Sequence, residues 1–104
     1  AWGAEAKYRI AEAYYLLGET EKAEKEIMSF TSMQTTHQYW LAKSLILLAD
    51  INVDNNDFFQ AKQYLLALQN NYRPDDEIKQ IIVEKLEKIY EVEAQQNIEI
   101  TENE

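Results

Sequence analysis

The sequence predicts an all-α fold, an α-solenoid of antiparallel helix hairpins. Three observations carry that expectation. The 104 residues include one proline and two glycines, too few turn residues for a many-stranded β fold. Apolar residues recur at helical spacing over most of the chain. Finally, the sequence matches itself when shifted by 38 residues. Under that shift Trp2 falls on Trp40, Ala4 on Ala42, Ile10 on Leu48, Ala11 on Ala49, Gly18 on Asn56, Ala23 on Ala61, Ile27 on Leu65 and Phe30 on Leu68. A second shift carries Trp40, Leu48, Asn52 and Asn56 onto Ile78, Leu86, Tyr90 and Ala94. Small residues replace small ones and large apolar residues replace large ones, as a packed repeat requires.

The elements follow in order. Ala6, Ile10, Ala13/Tyr14 and Leu17 form a helical stripe that predicts a first helix over 3–17. Gly18 costs about 1 kcal/mol against alanine inside a helix, so its place is between helices, in a left-handed turn. Glu19 then offers a carboxylate to the start of a second helix, 20–32, whose stripe is Ala23, Ile27 and Phe30. A third helix, 37–54, is built on Trp40/Leu41, Leu45 and Leu48/Ala49. It ends at "DNND", where Asn56 takes the role of Gly18 and Asp57 that of Glu19. The fourth, 57–72, carries Phe58, Ala61, Leu65 and Leu68. Pro74 and Asp75/Asp76 stop it and cap a fifth helix over 76–95. In that helix Ile78, Ile81/Ile82, Leu86 and Ile89/Tyr90 form the expected buried stripe. Lys79, Glu84, Lys85, Glu87, Lys88 and Glu91 form the expected wet face. Glu87 stands where the earlier copies have Ala11 and Ala49, so no further helix is expected to pack there, and the fifth helix reads as a C-terminal cap. The domain is thus expected to span 1–96, with repeats at about 2–36 and 37–73, followed by an acidic tail, 97–104.

Composition narrows the functions. Nineteen acidic against ten basic residues give a net charge of -9. Residues 75–104 carry ten acids and three bases (-7), whereas 1–30 carry six and four (-2) and 31–74 three and three. Such a surface repels phosphate backbones, which argues against nucleic acid and anionic membranes as partners. The apolar run "LAKSLILLA" is too short to span a bilayer. Zero cysteines exclude disulfide and thiolate chemistry without fixing a compartment. The chain opens at Ala1 without an initiator methionine, which leads us to expect a segment of a longer protein.

No catalytic or metal signature stands out. Asp50, Asn52, Asp54 and Asn56 have the alternating oxygens of a calcium loop, but Asn55 stands at its glycine and Ala61 at its closing glutamate. His37, the one histidine, has no second histidine or cysteine to share a zinc site. Ser29, Ser32 and Ser44 lack an evident base, and the many carboxylate pairs reflect an acidic surface. The expectation is a chain that is not an enzyme and uses no cofactor.

The segment "AEAKYRIAEAYYLLGETEKAEKEI" resembles a tetratricopeptide repeat. Ile10, Ala11, Tyr14, Gly18, Ala23, Ile27 and Phe30 fall at that family's spacings. Leu45, Leu48, Ala49, Asn56, Ala61, Leu65 and Leu68 repeat them more loosely, and Asn52 replaces the usual aromatic. The family's period is about 34 residues; the longer one here is absorbed by the second helix and the connection "SFTSMQTTH". The resemblance implies a non-catalytic protein-binding scaffold whose first helices line a concave groove for a partner peptide or helix. By resemblance the groove residues are Glu5, Tyr8, Glu12 and Tyr15, then Lys43, Ile46, Asp50 and Val53. A basic partner with apolar anchors would complement such a groove. The competing reading of Tyr8, Tyr15 and Ile46 is that they pack between neighbouring helices. An alternative function is a structural C-terminal cap or a self-association module acting through the N-terminal end, with ligand binding upstream. The second copy is also similar to repeats of bacterial cell-envelope proteins, which favours a periplasmic over a cytoplasmic setting.

Overall fold

A computed structural model describes residues 3–31 and 38–102. They form five helices and no strand: α1 (Ala4–Leu16), α2 (Thr20–Thr31), α3 (Gln38–Asp54), α4 (Phe58–Asn71) and α5 (Glu77–Glu102). Trp2, Ser32 and His37 lie outside the described residues.

Two turns with the same hydrogen bonds join the first two helix pairs. Gly18 has φ 81° and Asn56 φ 62°, both left-handed. At the first turn Gly18 N–H donates to Tyr15 O (3.0 Å) and Glu19 N–H to Tyr14 O (2.8 Å). Thirty-eight residues on, Asn56 N–H donates to Val53 O (2.9 Å) and Asp57 N–H to Asn52 O (2.8 Å). This double closure satisfies carbonyls that a helix C-terminus leaves open. Carboxylates cap α4 and α5, whereas Glu19 ahead of α2 pairs with Lys22 at 3.4 Å. Asp57 accepts from Gln60 N–H (3.2 Å), and Asp76 accepts from Ile78 N–H (3.0 Å) at the head of α5.

Packing centres on α3, which touches all four other helices. Among the described residues α1 and α2 meet neither α4 nor α5. One apolar cluster unites Tyr8, Ala11, Ala23 and Ile27 with Leu47, Leu48 and Ile51. The other unites Ala42, Ile46, Ala49, Ala61 and Leu65 with Ile78, Ile82, Leu86 and Ile89. Ala11, Ala23, Ala49 and Ala61 are fully buried, which is why those positions are small: helix axes can close up there. No described helix is long and apolar enough to cross a membrane.

Three expectations fail. The stripe Ala6, Ile10, Ala13 and Leu17 of α1 does not form its buried face: Ile10 is 45% and Leu17 75% exposed. Ala4, Tyr8 and Ala11 turn inward instead. Both stripes satisfy helical periodicity, and it is Tyr8 and Ala11 of the second that pack with Ala23 and Ile27 of α2 and Leu47, Leu48 and Ile51 of α3. Likewise α5 does not end near 95 but continues to Glu102, so most of the expected tail is helical. No glycine or proline follows Pro74, and Glu, Gln and Ala are good helix formers. Tyr90, expected in the buried stripe, is 49% exposed.

Candidate functional site

Helix α3 packs against both α1 and α5, and residues of all three line a cavity of about 220 Å³. Tyr8 contributes from α1, Lys43, Ile46, Leu47 and Asp50 from α3, and Ile81 and Lys85 from α5. A neighbouring cavity of about 280 Å³ lies between α3, α4 and α5, lined by Val53, Phe58, Ile89 and Val92 among others. Asp50 and Lys85 line both cavities and form the wall between them.

That wall is an ion pair. Lys85 Nζ lies 2.8 and 3.0 Å from the two carboxylate oxygens of Asp50. Burial raises the Asp50 carboxyl above its ordinary range, and Lys85 offsets this only in part. Lys85 was expected on the wet face; instead it is half-buried, because Asp50 faces α5 and would otherwise stand uncompensated. On the α1 side, Tyr8 is buried and its hydroxyl donates to Glu12 Oε2 (3.1 Å). The hydroxyl pKa is pushed up to about 12, first by burial and then by the Glu12 charge. Lys43 Nζ stands 5.4 Å from the centre of the Tyr8 ring, within cation–π range.

The eight groove residues expected from sequence divide accordingly. Tyr8, Lys43, Ile46 and Asp50 line the smaller cavity and Val53 the larger. Glu5, Glu12 and Tyr15 line neither. Glu5 and Glu12 flank Arg9 at 3.6 and 3.2 Å on the α1 surface. Tyr15 hydroxyl donates to Asp54 Oδ2 (2.6 Å), tying α1 to the end of α3. Tyr8 and Ile46 are also core residues, each 6% exposed, so both line the cavity and pack between the helices. Sequence reasoning missed Leu47, Ile81 and Lys85. Ile81 was within reach, since it lies 38 residues beyond Lys43.

The would-be calcium ligands are dispersed. Asp50, Asn52 and Asp54 sit within α3, not in a loop; Asp50 is held by Lys85 and Asp54 by Tyr15. No family model, curated protein or solved structure matches the chain.

Proposed function

We propose that this chain is a non-catalytic protein-binding scaffold of tetratricopeptide-like repeats, an α-solenoid fragment closed by α5. The observation that carries this reading is the pair of turns at Gly18 and Asn56. Identical hydrogen bonds 38 residues apart are what two copies of one helical hairpin would make. The helix contacts agree, since α1, α3 and α5 form one row, with α2 and α4 each packed against its own hairpin partner and the next helix of the row. The groove then runs over α1, α3 and α5. Asp50 and Lys85 satisfy each other's charge, and the space between Ile46 and Ile81 suits one apolar anchor side chain of an extended peptide or helix. The net charge of -9 favours a partner with basic residues beside that anchor.

Selection of a random peptide library against the chain tests this, with Ile81→Glu as the counter-target. Basic peptides with an apolar anchor should enrich and bind Ile81→Glu at least about tenfold more weakly, a loss of about 1.4 kcal/mol. The variant should keep its helical circular dichroism and melt only somewhat lower, since Ile81 also packs against the core. Enriched peptides indifferent to Ile81→Glu, or no enrichment at all, would overturn the groove. One observation favours the second reading, that of a cap or self-association module: α1 keeps an apolar stripe uncovered.

A further inference from the structure

The same stripe occurs three times. Ala6, Ile10 and Ala13 on α1 correspond, 38 residues on, to Ser44, Leu48 and Ile51 on α3, and again to Ile82, Leu86 and Ile89 on α5. On α3 and α5 every member is at most 5% exposed. On α1 the central Ile10 is 45% exposed, and Leu17, one turn beyond Ala13, is 75% exposed.

What covers the two buried stripes is visible. Ala23 and Ile27 of α2 share a cluster with Leu48 and Ile51, and Ala61, Leu65 and Leu68 of α4 share one with Ile82, Leu86 and Ile89. Each time the covering helix is the one immediately before in sequence. Both coverers carry the same pattern: alanine, an aliphatic residue four positions on, and a large apolar residue seven positions on (Ala23, Ile27, Phe30; Ala61, Leu65, Leu68).

We propose that the Ala6–Ile10–Ala13 stripe is the seat of one further helix with this pattern, carried by the same polypeptide directly ahead of α1. Ala6 and Ala13 flank Ile10 with small side chains, so a helix axis can approach closely there. A second copy is a poorer occupant on two grounds. Its own α2 and α4 stripes are already buried in its core. An end-to-end contact would also bring residues 75–104 (ten acids, three bases) against 1–30 (six acids, four bases), both negative. The inference rests on the repeat reading above but not on the groove.

The test supplies such a helix. A duplicate of residues 19–38 is fused ahead of Ala1, which keeps the 38-residue register and the native connection. The fused helix should raise the melting temperature by about 5 °C or more. Ile10→Glu, nearly silent in the 104-residue chain, should abolish that rise. No rise, or a rise that survives Ile10→Glu, overturns the seat. Light scattering on the 104-residue chain provides a second check. Dimerisation that Ile10→Glu removes would give the seat to a second copy and overturn the proposal; a monomer in both variants supports it. Peptide binding at Ile81, measured on the same proteins, reports on the groove separately.

Discussion

At the scale of single residues, Asp50 is where the lining of two cavities and the core compete. Its carboxylate is half-buried, and the raised pKa says that burial outweighs the attraction of Lys85. The sign follows from that direction. A carboxyl whose folded-state pKa exceeds its unfolded value near 3.8 stabilises fully only below that value, and the contribution is lost as pH rises through the folded-state pKa. Ionised Asp50 is therefore a net cost to the fold at neutral pH, and Lys85 keeps that cost small. Lys85→Met should destabilise by about 1–2 kcal/mol at pH 7, less than a fully buried pair would lose because water still reaches both groups. The loss should shrink toward pH 4, where Asp50 protonates. Urea titrations of both proteins at the two pH values measure this, and an equal loss at both would show that Lys85 acts through packing alone. Asp50 was among the residues that the family resemblance implied for a groove, and it lines both cavities, whereas Lys85 was not among them. Charges occupy most outward positions of α5, and nothing local marks the one whose partner lies 35 residues away.

At the scale of elements, helix ends were easier to read than helix faces. Few residue types accept a left-handed φ, so Gly18 and Asn56 announced their turns. A face is decided by what packs on it. The α1 sequence offers two apolar stripes, and periodicity cannot choose between them until α2 and α3 are placed. The end of α5 was misread for a related reason: weak periodicity from Asn97 onward argues against burial, not against helix. Helix α3 shows what an imperfect copy costs. Asn52 occupies the position of Tyr14 and Tyr90, and its amide nitrogen Nδ2 is buried with no hydrogen-bond partner among the described residues. Leucine is close in size and brings no polar atom, so Asn52→Leu should stabilise the chain by about 1 kcal/mol. Thermal melting at neutral pH checks this; a lower melting temperature would mean that the amide is satisfied in solution.

On the scale of the whole molecule, the row of α1, α3 and α5 is tied at both ends of α3 by tyrosine–carboxylate bonds. Tyr15 on α1 reaches Asp54 at the end of α3, and Tyr39 at its start reaches Glu77 at the head of α5, both at 2.6 Å. Tyr8 makes a third such bond within α1, to Glu12, and Tyr72 a fourth, to Asp76 ahead of α5. Each requires a protonated hydroxyl, since a phenolate beside a carboxylate puts two negative charges together. The Tyr15 pKa is pushed up to about 12, chiefly by the hydrogen bond to Asp54, and that of Tyr8 to about 12, chiefly by burial. That of Tyr39 is also raised, by its bond to Glu77. For groups raised in the fold, the stabilisation is complete below the unfolded tyrosine value near 10 and is lost as pH climbs through the folded-state values. The chain should therefore melt at a nearly constant temperature up to about pH 10, then fall steeply toward pH 12, with its net charge of -9 adding to the repulsion. Tyr8→Phe and Tyr15→Phe together should flatten that fall, although each removes a hydrogen bond and lowers stability at pH 7 by about 1 kcal/mol. Melting curves followed across this pH range, with tyrosinate absorbance read in parallel, decide the matter. An equally steep decline in the double variant would mean that Tyr8 and Tyr15 do not drive the alkaline transition, leaving it to net charge and to Tyr39 and Tyr72, whose hydroxyls donate to Glu77 and Asp76.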